Sequence, residues 1–481
     1  MKMMIGMAVV TLAATLAAGT KTAELRLGAP TGRTINPLNG VNNAPRVTPS
    51  DDGPFGGQCS GNEVLYAAAR IPFARAHEAA LSYCYGGHHC VDISGIFPDF
   101  SADPDDPKSY DFAVTDKYIA DVRSVGAEVL YHMGETIEHM VKKYGAWPPK
   151  DFKKWAKVCE HLIAHYNEGW ADGFRWNIRY WEIWNEPDLD SWGDWKEHPH
   201  CWGGTPEQFY DLYEITAKRL KGRFPNLKIG GPGSCCREDW AAKFLKEMKK
   251  RDVPIDFFSW HLYCNDADEY LAKAKRVRAF MDAAGYAQAE SILDEWNYIR
   301  NWTDEFAQTF RESGTSRVAA FMSAALSNAQ RAGVDKMMYY DAGPTTMFNT
   351  IFASGSFDAL PGYYALYAWG RLRAYARETS VTGADGDLTA VAGMDAKGNR
   401  AVLFTRYAKD ANVVAKRRVR VVLPDGFGPE SEIRLHLVDP SRRFTEIPPV
   451  VRGGAVELDL EANAFALLEF TGFADSRDMA H

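Results

Sequence analysis

Trp181-Glu182-Ile183-Trp184-Asn185-Glu186-Pro187, residues 181–187, reads as a short apolar strand that stops on a carboxylate. Alternating bulky residues suit a pleated, buried strand, and the proline after Glu186 ends it. A second stretch, Leu293-Asp294-Glu295-Trp296-Asn297, closes the apolar run from Ser291 on another glutamate. Between and around them, strand-length apolar runs alternate with helical segments. The runs are Leu38 to Asn42, Arg70 to His77, Ala127 to Met133, Tyr180 to Trp184, Lys228 to Gly231, Phe257 to Tyr263, Ser291 to Glu295 and Lys336 to Asp341. Helical patterns such as Pro206 to Arg223 and Ser316 to Ala332 lie between runs. That alternation predicts a (β/α)8 TIM barrel over residues 38–375, with the two glutamates at the carboxyl ends of strands four and seven, where such barrels place their chemistry.

Beyond residue 376 the pattern changes to short alternating strands: Leu388 to Ala392, Ala401 to Arg406, Arg418 to Leu423, Ile433 to Val438, Ala455 to Leu460 and Ala464 to Phe470. They predict a C-terminal β-sandwich over 376–474, joined by a strand from residues 21–37, with a tail at 475–481. Lys2 followed by an apolar run to Ala18 and small residues to Gly19 has the layout of a secretory signal peptide over 1–20, so the expected location is secreted or periplasmic. That run is short for a bilayer span, and no membrane insertion is expected.

The 481 residues are 46% hydrophobic and carry a net charge of -8, which offers no cationic footprint for nucleic acid. With 14 Trp, 22 Tyr and 25 Phe there is ample aromatic surface for stacking sugar rings. The eight cysteines all precede residue 265. Cys84 with Cys90 suits a local bridge, whereas adjacent Cys235 and Cys236 are expected to take separate partners or remain reduced. His88 and His89 beside Cys90 are the metal alternative, but no Cys-x-x-Cys pair accompanies them, and neither metal nor cofactor is expected.

Two carboxyl groups in aromatic surroundings suit glycosidic bond cleavage, one protonating the leaving oxygen and the other attacking the anomeric carbon. The expected partner is an oligosaccharide or polysaccharide. A barrel that only binds carbohydrate is the non-enzymatic alternative, and the presence of both acids opposes it.

The segments WEIWNEPD (181–188), KIGGP (228–232), VPIDFFSWHLY (253–263) and LDEWN (293–297) together resemble glycoside hydrolase family 39 of clan A, which includes β-xylosidases and α-L-iduronidases. The β-xylosidase pattern is the nearer one. The resemblance implies Glu186 as general acid/base and Glu295 as nucleophile in a retaining mechanism, and Asn185 as the partner of a sugar 2-hydroxyl. It also implies that Arg75 steadies the nucleophile, that His77 and His261 contact the glycone, and that the Tyr263 hydroxyl donates to Glu295. Exo-cleavage of a β-xyloside is the first expectation, with α-L-arabinoside, β-galactoside, iduronide or endo-cleavage as alternatives.

Three stretches depart from that pattern. Glu135, at the end of the third strand, is expected either to bind a sugar hydroxyl or to form an ion pair. Tyr339, on the eighth strand, stands near where clan members present a tryptophan platform, and Trp296 is a further stacking candidate. The insertion Asp190 to Gly204, with Trp192, Trp195, His198, His200, Cys201 and Trp202, either roofs the site or forms a disulfide-anchored surface loop.

Overall fold

The structure is a computed structural model that describes residues 22–47, 61–77, 90–139, 141–192, 197–235, 237–343, 346–428 and 431–472. The segment expected to direct export, Cys59, Cys84, His88, His89, Trp195, Cys236 and the C-terminal tail lie outside the described residues.

The first strand, β1 (Ala23–Thr34), belongs to the C-terminal module. The next eight are β2 (Gly40–Asn42), β3 (Phe73–Ala76), β4 (Glu128–Met133), β5 (Tyr180–Ile183), β6 (Lys228–Ser234), β7 (Phe257–Cys264), β8 (Glu290–Tyr298) and β9 (Lys336–Tyr339). They form a closed barrel in sequence order, all pairs parallel, with β9 returning to β2 through Gly40 opposite Met338. All eight strands expected from the apolar runs are present, and helices such as Phe152–Asn167, Pro206–Arg223 and Ala267–Ala283 cover them.

Strand alternation sorts the interior into layers. Phe73, Leu130, Tyr180, Phe257, Ile292 and Met338 form an apolar plug inside the barrel. Two residues further along the same strands stand Arg75, His132, Glu182, Ser259, Asp294 and Tyr340, a buried polar layer between the plug and the mouth. The outward-facing positions, including Trp181, Trp260, Trp296 and Tyr339, pack against the helices.

The later strands are β10 (Arg377–Thr382), β11 (Leu388–Met394), β12 (Arg400–Arg406), β13 (Arg417–Val422), β14 (Glu432–Val438), β15 (Thr445–Ile447), β16 (Val450–Arg452), β17 (Ala455–Leu460) and β18 (Ala464–Thr471). With β1 they make the expected sandwich module, ten strands paired in one curled run around their own apolar core. The long β1 is the hinge of that curl: Ala23 to Leu25 pair parallel with β13, and the rest pairs antiparallel with β10. The helix Ser316–Ala332 lies between barrel and sheet and is buried almost throughout. There Arg317 donates to the carbonyl of Ala408 at 3.0 Å, and the Ser323 and Thr405 hydroxyls meet at 2.6 Å. No described helix is long and apolar enough to cross a membrane.

Candidate active site

Glu186 follows β5 in a turn that requires left-handed backbone at two ordinary residues, Trp184 (φ 70°) and Glu186 (φ 47°). Such conformations cost free energy and mark places where a side chain is aimed rather than merely packed. The turn is tied to β6 by the Glu186 N–H, which donates to the Gly233 carbonyl at 3.1 Å. Gly233 itself has φ +62°, and a Cβ there meets Asn185 Oδ1 and His261 Nε2 at 3.1 Å, so only glycine lets β6 approach this closely.

Glu295 reaches the same space from β8 through a bulge. His261 pairs with Glu295 while Trp260 pairs with Leu293, so Asp294 is the extra residue. Both Asp294 and Glu295 therefore face inward, and Trp296 faces out.

The two carboxylates and the intervening His261 converge, one ligand atom from each lying within 4.8 Å of the others. Glu295 is held at both oxygens: Arg75 Nη1 donates to Oε1 at 2.6 Å and the Tyr263 hydroxyl to Oε2 at 2.6 Å. Arg75 is fully buried and also donates to Glu182 Oε2 at 2.7 Å and Asn185 Oδ1 at 2.8 Å. Burial alone lowers the proton affinity of its guanidinium, but Glu182, Asp294 and Glu295 together outweigh that effect and raise it. The Glu186 carboxyl is pushed up to about 6, chiefly by burial and further by the Glu295 charge, against the lowering influence of His261 Nδ1 at 2.6 Å. His77 completes the floor, with Nε2 at 3.4 Å from Glu295 Oε1 and Nδ1 at 3.3 Å from His132.

Glu186, His261 and Glu295 are the described cluster with metal-like spacing. An arginine and a phenol already occupy the Glu295 oxygens, however, and the guanidinium repels a cation. The set suits proton sharing rather than coordination.

Asn185, Arg75, His77, His261 and Tyr263 thus surround the acid pair. Glu135, Tyr339 and Trp296 do not. Glu135 accepts from the Ser94 N–H at 2.9 Å and from its hydroxyl at 2.5 Å, with no described ion pair, and burial lifts it to about 7. Tyr339 and Trp296 are fully buried outside the barrel wall, their rings 5.5 Å apart. The Tyr339 hydroxyl meets that of Thr350 at 2.5 Å. Strand parity explains both corrections: on β9 the inward residue is Tyr340, whose ring stands 6.4 Å from His77 and 6.3 Å from Tyr263.

Several mouth residues carried no motif signal. Asp341 is buried and lifted to about 7 by burial, with Oδ2 lacking a hydrogen-bond partner, as does Asn43 Oδ1. Trp302, in the loop after β8, is 55% exposed and sets its indole 5.5 Å from the Tyr263 ring. Its exposure and neighbours are set by the tertiary fold, which local sequence does not encode.

The 190–204 insertion is anchored by a carboxylate, not a disulfide. Cys201 is a buried free thiol, and Asp190 accepts N–H bonds from His200 at 2.8 Å, Cys201 at 2.6 Å and Trp202 at 2.8 Å. Trp184 donates to the Cys201 carbonyl at 3.1 Å, so the insertion grips the turn that carries Glu186. Asp190→Ala strands three N–H groups, and a stability loss of about 2–4 kcal/mol is expected from this network. Thermal unfolding and kcat should fall together. Unchanged kcat would show that the loop does not hold the turn.

A family model described as "Glycosyl hydrolases family 39" matches residues 73–340. The chain is 28% identical over 226 residues to a β-xylosidase of Geobacillus stearothermophilus, a match spanning 44% of this chain and 42% of that relative. The chain therefore aligns with less than half the length of that protein. Among solved structures, a glucosidase from Croceicoccus marinus superposes with a TM-score of 0.73 at 25% identity, covering 94% of this chain and 100% of that one. A monomeric β-xylosidase from Caulobacter crescentus has the same fold, with a TM-score of 0.67 at 16% identity and coverage of 94% and 100%. With the family match spanning more than half of the chain, across the barrel and both acid turns, this protein belongs to glycosyl hydrolases family 39.

Proposed function

We propose that this protein is a retaining, exo-acting glycosidase of β-xylosidase type, with Glu295 as nucleophile and Glu186 as acid/base. The observation that carries this reading is the separation of the acids. Carboxylate oxygens within 4.8 Å suit direct attack, because an inverting enzyme needs room for a water between its base carboxylate and the sugar. In the first step Glu295 bonds to the anomeric carbon as the glycosidic C–O bond breaks, and the Glu186 proton passes to the leaving oxygen. In the second, Glu186 takes a proton from water, whose oxygen displaces Glu295. Arg75 and Tyr263, donating to both Glu295 oxygens, favour its departure as a carboxylate.

A neutral glycone fits better than a uronate. Arg75, beside the acid pair, is engaged by Glu182, Asn185 and Glu295 and has no exposed surface to offer a sugar carboxylate. Asn185, His77, Asn43 and Asp341 offer the hydroxyl contacts, and the exposed indole of Trp302 offers a stacking face. Export through the segment before residue 21 is part of this proposal, and fractionation of cells expressing the full chain tests it.

The test is hydrolysis of 4-nitrophenyl β-xyloside, β-glucoside, β-galactoside, α-L-arabinosides and an iduronide, with the anomer first released followed by NMR. Release of the retained anomer from the xyloside is expected, and kcat/KM should fall above about pH 6 as Glu186 loses its proton. Initial release of the inverted anomer overturns the mechanism, and preference for another glycoside reassigns the glycone.

A further inference from the structure

Two acids beyond the catalytic pair, Glu182 and Asp294, are fully buried in the polar layer of the barrel. Asp294 stands two residues beyond inward-facing Ile292, and the bulge in β8 brings the next residue, Glu295, to the same side. One of its oxygens, Oδ2, is 3.2 Å from Arg75 Nε, and the other, Oδ1, is 3.4 Å from His261 Nε2. The opposite nitrogen of that ring, Nδ1, is 2.6 Å from Glu186 Oε1 and 3.4 Å from Glu295 Oε2. His261 therefore spans the gap between Asp294 on one side and the acid pair on the other, fully out of contact with solvent. A neutral imidazole has one N–H and serves one side only, whereas an imidazolium serves both.

We propose that Asp294 is a positioning residue that keeps both nitrogens of His261 protonated, so that Nδ1–H engages Oε1 of Glu186 and the acid's own proton is confined to Oε2, facing the leaving oxygen. The proposal rests on the reading of Glu186 as the acid.

The charges around the ring agree with it. Arg75 approaches from β3, neutral His132 from β4, Glu182 and Glu186 from the β5 side, and Glu295 from β8, while Lys273 of the covering helix donates to the His261 carbonyl at 2.8 Å. Burial pushes the Glu182 carboxyl well up against the pull of Arg75, and its Asp294 neighbour pushes it further; a protonated Glu182, which accepts from Ser259 at 2.5 Å, is part of the proposed state. Burial disfavours charge on His261, but Glu295, Asp294 and Glu186 reverse that. Two cations, Arg75 and His261, then face two anions, Asp294 and Glu295, and the buried cluster is neutral when Glu186 holds its proton. During the second step the same imidazolium steadies the Glu186 carboxylate.

The deciding experiment is the pH dependence of kcat/KM on an aryl glycoside. In Asp294→Asn the imidazolium loses its counter-charge and becomes neutral, its lowering effect on Glu186 disappears, and the basic limb moves up by about one pH unit or more. Glu182→Gln alone leaves the limb in place because that group is already uncharged. The double variant, in which Glu182 cannot ionise in place of Asp294, shifts as Asp294→Asn does. A limb unmoved in both Asp294 variants overturns the proposal. Imidazole nitrogen NMR on the unmutated protein decides independently of whether variants fold: both His261 nitrogens protonated at pH 7 is expected, and one protonated nitrogen overturns it. If the unmutated protein cleaves no glycoside, the acid assignment fails instead, and the NMR result still reports on the Asp294–His261 pair.

Discussion

Glu295→Ala is expected to lower kcat/KM by about 10^4-fold or more, the scale on which loss of a covalent nucleophile acts. The reason is geometric as well as chemical. Glu295 is placed by the β8 bulge, fixed at both oxygens by Arg75 and Tyr263, and no other described carboxylate shares that position. Glu186→Ala should behave differently. Cleavage of a glycoside with a poor leaving group falls steeply, while an aryl glycoside with an acidic leaving group still forms the glycosyl ester. Added azide then attacks that ester directly, and the product is a glycosyl azide of the substrate's own anomeric configuration. Full activity in Glu295→Ala, or an azide product of inverted configuration, removes the assignment of the two roles.

Arg75→Met is expected to be the most destabilising single change in the barrel. Arg75 has no exposed surface and bonds or pairs with Glu182, Asn185, Asp294 and Glu295, so its removal leaves buried acids facing one another without a counter-charge. Breaking a buried ion pair from one side typically costs about 3–5 kcal/mol, and this residue serves several partners. Arg75→Lys should recover little, because one ammonium cannot span donors aimed at β5 and β8 together. Melting followed by circular dichroism measures the loss. A melting temperature within a degree of the parent would mean that the polar layer holds itself together without the guanidinium. The same variant should be inactive even where it folds, since Glu295 and Asn185 both lose a bond that orients them.

Sequence by itself determined the barrel and pointed to the two acids proposed as the catalytic pair. Alternation of apolar strands with helical stretches is a local, periodic signal, and every barrel strand was visible in it because each is buried on both faces and therefore rich in apolar residues. Glu186 and Glu295 were legible for a related reason: each ends such a run, where a charged group is out of place unless it acts. Position at a strand end did not reveal which way a side chain points. Trp296 and Tyr339 sit beside inward residues yet belong to the outer layer, and Glu295 faces inward beside Asp294 because a one-residue bulge shifts the parity of β8. Cysteine count suggested a disulfide for the insertion, whereas Asp190 holds it through backbone N–H bonds that no spacing encodes. The single curled sheet likewise depends on β1 pairing with β13 and β10, strands nearly 400 residues apart in the chain at the former contact. The tertiary structure alone decided the layer of Arg75, Glu182, His261 and Asp294, because protonation and orientation there follow from charges on different strands meeting in a space without water.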